Sequence, residues 1–384
     1  MGEVNVIGIG QTPVGEHWDR SLSDLAVEAV RAALRDAAIS RVDALFVGNM
    51  LAGELSHQEH LGALIADQVG LRGIEAARAE ASDASGGLAL RQAFIAVASG
   101  AVETALVVGV EKFTDVVGSA RLAAIAAGLD EEYEGAHGAT PAALAALLMR
   151  RYMHEYGVGL DAFAGFSENA HANAASNPNA MFRSPLRPGA FAAAPAVAPP
   201  ISLFDAAPEG DGAAAVVLSA ADRAAQGAFT PLWIAASAVA TDTLAVQDRP
   251  DPLFLSAANL SAGRAYQQAG ITPREVDVFE LHDSYTIMAV LALEACGFAP
   301  RGEGTRPAVE GEIGLAGQLP LATFGGLKAR GHAGGATGLY QVVELALQLR
   351  GEAGVNQVED VRIGMAQNVG GLGGTVVTHI LERA

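Results

Sequence analysis

Apolar and polar positions along this chain fall into short units that recur. "VNVIGIGQTPVG" is a brief apolar run ending in glycines, which predicts a strand. In "SLSDLAVEAVRAALRDAAI" the apolar residues return every three or four positions, the period of one helix face, with Ser23 as the expected cap and Asp24 in the first turn. "RVDALFVGNM" then reads as a second strand. "EASDASGGLALRQAFIAVASGAVETALVVGVEK" reads as strand end, glycine turn, long helix, turn and strand.

The same plan returns late in the chain. "AAISRVDALFVGN" matches "AGITPREVDVFELHD" in layout, and "GGLKARGHAGGATGLYQVVELALQLRGEAG" followed by "VRIGMAQNVGGLGGTVVTHIL" repeats the order of the earlier glycine turn, helix and strand. Strands alternating with helices predict an α/β protein with mainly parallel pairing. Two similar halves are expected, residues 1–113 with 209–228 and residues 229–384, the second opening near Phe229 with "FTPLWIAASAVA". Residues 114–208 are less regular and Pro/Ala-rich in "RSPLRPGAFAAAPAVAPPISLF". An insertion that long is usually functional or structured, so it reads as a helical cap over a site, against the plainer reading of surface helices with no ligand role.

Composition narrows the function. The 384 residues are 51% apolar and 17% charged, enough for large cores and two or three folding units. A net charge of −19 repels a phosphate backbone, so nucleic acid is not an expected partner. No apolar run reaches the roughly 18 residues of a membrane span, and no basic leader precedes the first strand, so a cytoplasmic protein without a membrane partner is expected. The single cysteine, Cys296 in "LALEACGF", reads as core packing and excludes a cysteine metal cluster; no metal is expected.

With these patterns in place, "EASDASGGLALRQAFIAVASGAVETALVVGVEKFTD", "DGAAAVVL", "VDVFELHDSYTI", "GGLKARGHAGGATG" and "QNVGGLGGT" together resemble the thiolase superfamily, in particular its acetyl-CoA acetyltransferase-like branch related to sterol carrier protein thiolases. The resemblance implies five layers, α-β-α-β-α, from two duplicated mixed-sheet halves plus a helical loop domain. It implies coenzyme A thioesters as substrates, no tightly bound cofactor, a homodimer or tetramer, and a role in lipid metabolism. Some similar proteins are retro-aldolases working with a small zinc-ribbon/OB-fold partner, although the tyrosine that marks them at the start of the "HD" motif is lacking.

Carried over by motif, Asp83 stands where the family places its nucleophilic cysteine. His332 in "GHAGG" stands for the histidine that activates it, with Ala333 in place of a proline. His282 matches the histidine of the "HD" motif, where Ser284 and Tyr285 replace cysteine and phenylalanine. Asn368 stands at the second cysteine, with Gly370 as the accompanying backbone donor at an oxyanion hole.

The chemistry of these replacements leaves several readings open. A helix N-terminus stabilises an anion, so Asp83 is either a helix cap or a fixed carboxylate near substrate, a weak nucleophile whose acyl product would be a mixed anhydride. Two imidazole N–H groups aimed at a thioester oxygen would stabilise an enolate, the intermediate shared by Claisen and retro-Claisen steps, decarboxylation and retro-aldol cleavage. Hence the leading expectation is an acyl-CoA C-acyltransferase-like enzyme working through an enolate without a cysteine acyl-enzyme. The alternatives are a silent CoA-binding or scaffolding subunit and a retro-aldol lyase. Asp283 could orient a neighbour, and Tyr285 reads as core or as an acid/base. Lys328 and Arg330 could meet CoA phosphates or serve as structural charges. His154 and His171 mark the cap as a place for the pantetheine arm.

Overall fold

A computed structural model describes residues 2–221 and 232–383. The expected junction of the halves at 228/229, with Phe229, lies outside the described residues. Nine strands form one mixed sheet in the order β3-β2-β4-β7-β1-β8-β11-β10-β9. They are β1 (Val4–Gln11), β2 (Ala44–Gly48), β3 (Glu75–Ala79), β4 (Thr104–Glu111), β7 (Gly212–Ala220), β8 (Leu232–Thr241), β9 (Val278–Glu280), β10 (Ile363–Gly370) and β11 (Thr375–Arg383). Two short strands, β5 (Ala196–Ala198) and β6 (Ile201–Ser202), pair separately.

The halves are related strand by strand. β2 runs parallel to β4 as β9 does to β10. β4 opposes β7 as β10 opposes β11, and β7 opposes β1 as β11 opposes β8. Among the described residues, β1 and β8 join the halves through Asn5↔Trp233 and Val6↔Leu232. Mainly parallel pairing does not hold, because antiparallel neighbours predominate. β7 arrives after the long insertion and returns against β4, while β10 and β11 are a tight hairpin whose turn uses Gly371 and Gly373 at positive φ.

Layering follows from which faces are apolar. The helices Ser85–Ala98 and Thr337–Arg350 pack on each other and on strands of both halves, so they form the middle layer. Strands covered on both faces read as unbroken apolar runs, and β4 is buried at every position. The outer helix Leu22–Asp36 buries Leu22, Leu25, Ala26, Ala29, Val30 and Ala33 against β1 and β7, each fully buried leucine contributing about 2 kcal/mol. Its cap is Ser21, not Ser23: Ser21 Oγ accepts the Asp24 N–H, and Asp24 accepts the Ser21 N–H in return. The glycines of "GIG" let this helix lie directly on β1, since a Cβ at Gly8 or Gly10 would come within 2.4 Å of a helix carbonyl. On the far side, the helix Ser256–Ala269 covers β8 and β11.

The 114–208 segment carries three helices, Ser119–Ala126, Pro141–Tyr156 and Ala164–Ala174. Thr140 caps the second, accepting the Ala143 N–H at 3.2 Å, with Pro141 at the first helical position. Tyr152, Phe163 and Phe166 bury into one cluster with the helix Thr286–Ala295. Among the described residues no helix is long and apolar enough to cross a membrane.

Candidate active site

Three loops meet at the ends of the two central helices. Asp83 follows β3 in a tight turn where Ser82 holds φ 51°, just ahead of the helix Ser85–Ala98. His282 lies two residues beyond β9. His332 follows a single π-helical turn, Gly326–Arg330, and precedes the helix Thr337–Arg350. Their side chains converge: Asp83, His282 and His332 each place a polar atom within 4.8 Å of the other two. The two imidazole rings stand edge-on, 5.4 Å apart at an 88° angle.

Asp83 does not cap its helix; the cap position is Ala84, and no side chain bonds there. Instead, Asp83 Oδ1 pairs with His332 Nε2 at 3.0 Å, and Oδ2 accepts the Gly371 N–H at 3.1 Å. Burial alone would raise this carboxyl, but the His332 hydrogen bond and the Gly371 N–H outweigh it and hold Asp83 below the usual carboxylate range. His332 Nδ1 meets Thr337 Oγ1 at 2.9 Å, which fixes the ring from its other side.

His282 is set by Asn368. The Gly87 N–H donates to Asn368 Oδ1 at 3.1 Å, so the amide nitrogen Nδ2 must face His282 Nδ1, at 3.2 Å. That nitrogen donates, Nδ1 accepts, and the proton of neutral His282 therefore sits on Nε2. Burial, reinforced by His332, lowers His282 to about 3, so the ring is neutral near pH 7. Its Nε2 is buried and, among the described residues, has no hydrogen-bond partner. A buried donor with no acceptor is costly, and such a group commonly awaits a ligand.

Two histidines and one carboxylate also match a metal-binding set. Here the orientation of Asn368 puts a hydrogen, not a lone pair, on His282 Nε2. The trio is therefore built for hydrogen bonding to an anionic oxygen, and that is the reading its chemistry favours.

The remaining expectations separate. Gly370 ends β10 opposite Thr375, and the backbone donor at Asp83 is its neighbour Gly371. Ser284 is buried, and its carbonyl accepts the Ala207 N–H at 2.8 Å. Lys328 lines the same cavity as His171 and Tyr285 and its Nζ donates to the Asp205 carbonyl at 2.6 Å, while fully buried Arg330 pairs with Glu344 at 2.8 Å over the Tyr340 ring. Asp283 accepts the Leu327 N–H, anchoring that turn. Cys296 is buried in the core and its thiol is pushed up to about 12. His171 and Tyr285 line a cavity of about 630 Å³ walled in part by the 114–208 segment, whereas His154 lines a different one.

Two carboxylates went unseen in the sequence. Glu111, at the end of β4, accepts the Asn49 side-chain amide and the N–H groups of Met50, Leu51 and Gly335, tying the turn after β2 to the loop that carries His332. Burial pushes it up to about 7 despite those donors. Glu209 lines the 630 Å³ cavity. Glu209 stands outside the quoted motifs and Glu111 lies within one without a role to mark it, so only tertiary placement reveals them.

Comparison with known proteins agrees with this architecture. Residues 4–191 match the family model "Thiolase, N-terminal domain", and residues 238–383 match "Thiolase C-terminal domain-like". The chain is 44% identical to an acetyl-CoA acetyltransferase of Methanothermobacter thermautotrophicus, covering 100% of both chains. It is 41% identical to the enzyme of the same name from Methanocaldococcus jannaschii, over 100% of this chain and 99% of that one. Among solved structures, an Ltp2-ChsH2(DUF35) aldolase superposes with a TM-score of 0.86 at 26% identity, covering 100% of this chain and 98% of the other. By its two matched domains, its full-length relatives and its duplicated layered halves, the chain belongs to the thiolase family.

Proposed function

We propose that the protein transforms acyl-CoA thioesters through an enolate, without a cysteine-bound acyl intermediate. One observation carries this reading: His282 Nε2–H is buried, unpartnered and part of the Asp83–His332 cluster. A thioester oxygen that gains negative charge is the acceptor this donor lacks, and donors fixed in advance act most strongly on charge that develops during reaction. The relatives named acetyl-CoA acetyltransferase support a CoA thioester as the substrate class.

Asp83 serves this chemistry as a held anion. Its oxygens are engaged by His332 and Gly371, which makes it a poor nucleophile and keeps His332 oriented. With Asn368 neutral and anchored at both ends, no thiol stands at the cluster to carry an acyl group. A retro-aldol direction uses the same enolate; the likeness to the Ltp2-ChsH2(DUF35) aldolase favours it and, with it, a small partner subunit.

The test is to incubate the protein with acetyl-CoA and with acetoacetyl-CoA plus CoA, following free CoA and the intact protein mass. Thioester turnover without an acylated protein is expected. An acylated Asp83 peptide during rapid thiolysis would overturn the proposal in favour of covalent exchange; CoA binding with no turnover across acyl-CoA and β-hydroxyacyl-CoA esters would make the chain a silent subunit. Asp83→Cys, placing a thiol beside His332, is expected to introduce acyl exchange and a mass shift absent from the parent.

A further inference from the structure

The enolate reading leaves one group unassigned, the one that carries the α-proton. Asp83 is held as a weak base, and Asn368 is committed to Gly87 and His282. We propose, resting on that reading, that Glu209 is the acid/base that removes the α-proton of the bound acyl-CoA and returns a proton to carbon. No motif in the sequence marks it.

Geometry places it there. Glu209 and His332 face each other in a short parallel pairing: the His332 N–H donates to the Pro208 carbonyl at 2.8 Å, and the Gly210 N–H donates to the His332 carbonyl at 2.9 Å. Residues opposite one another in a ladder send their side chains to the same face, so the Glu209 carboxylate leaves the backbone on the side of His332. It then forms part of the wall of the 630 Å³ cavity, together with Tyr285 and cap residues that include Leu122, Ile125 and Phe182. Asp83, His282 and His332 are not among the residues that line this cavity, so the proposed pose sets the thioester oxygen at His282, the α-carbon at Glu209 and the acyl group in the cavity. Arg121, from the cap helix Ser119–Ala126, holds the carboxylate at 3.1 Å and leaves its side chain 27% exposed.

The electrostatics agree. Burial pushes the Glu209 carboxyl up, and the nearby negative charge of Asp83 adds to this; Arg121 and His332 oppose without reversing it. Asp83 is shifted the other way. Two carboxyls pushed apart by their surroundings divide acid/base work from anion work. In the step itself, the α-C–H bond breaks, its proton passes to the Glu209 carboxylate, its electron pair becomes the carbon–carbon π bond of the enolate, and the carbonyl π pair moves onto the thioester oxygen. The enolate oxygen is held by His282 Nε2–H. On protonation or carbon–carbon bond formation the electrons return by the same route.

Exchange of α-hydrogen for deuterium in D2O, measured with acetyl-CoA, butyryl-CoA and decanoyl-CoA, isolates this step. Glu209→Gln is expected to slow exchange at saturating thioester by on the order of 10²–10⁴, with KM little changed, and to abolish the acidic limb of the rate–pH profile. Arg121→Met removes the cation beside the carboxylate and is expected to move that limb to higher pH. If Glu209→Gln and Arg121→Met both raise KM and leave the rate and its acidic limb intact, Glu209 is a cap latch and the assignment is overturned. Failure of the enolate reading is a separate result, seen as no exchange by the unsubstituted protein, and it removes this assignment as well.

Discussion

Asn368 decides which nitrogen of His282 bears the proton, and it does so only because Gly87 fixes which end of the amide is oxygen. Asn368→Asp keeps the Gly87 contact and turns a second oxygen toward His282 Nδ1. The proton must then move to Nδ1, leaving a lone pair on Nε2 where the substrate oxygen needs a donor. Turnover is expected to fall by on the order of 10²–10³, the usual effect of losing one such donor, with nitrogen chemical shifts of His282 reporting the switched tautomer. A switched tautomer with undiminished turnover would contradict the role given to this ring. At this scale the motifs made Asp83, His282, His332 and Asn368 legible, yet not what each side chain does. Asp83 sits where a cap belongs by sequence, but its partners come from residues 332 and 371, far along the chain. Glu111 and Glu209 were invisible for the same reason, since a carboxylate's meaning depends on donors that only the fold assembles.

The two central helices bring these residues together by approaching unusually closely. A Cβ at Gly338 would lie 2.1 Å from Asn368 Oδ1 and 2.6 Å from the Gly87 nitrogen, so the amide that sets His282 occupies space a side chain would take. Gly338→Ala is expected to cost about 1–3 kcal/mol in denaturant unfolding and to reduce turnover by displacing Asn368. Gly263→Ala is the matched contrast: in the helix Ser256–Ala269 its Cβ meets nothing within 4 Å, and a gain of up to about 1 kcal/mol is expected. The reverse ranking of the two variants would show that the central contact is not tight. Helices and strands were readable from the spacing of apolar residues, as the helix Leu22–Asp36 and the wholly buried β4 illustrate. Strand direction was not, because β7 enters from the insertion and β11 from a hairpin, and neither path leaves a mark on periodicity.

Across the whole molecule, both halves contribute to the proposed site. The first supplies Asp83 and, after the insertion, Glu209; the second supplies His282, His332 and Asn368, while the cap brings Arg121 to Glu209. The repeated layout was visible in the sequence, whereas the convergence of its turns on one side-chain cluster was not, because it depends on how the middle layer packs between both half-sheets. Self-association into a dimer or tetramer remains our proposal, to be measured by sedimentation. The decisive measurement is α-hydrogen exchange of an acyl-CoA in D2O, followed by mass spectrometry of thioester and protein together, for the unsubstituted chain and for His282→Gln. The enolate account predicts deuterium entering the thioester with no acyl group on the protein, and exchange slowed at least a hundredfold in His282→Gln, in line with loss of an oxyanion donor. Exchange that persists undiminished in that variant, or a protein that acquires an acyl group as deuterium enters, would contradict it.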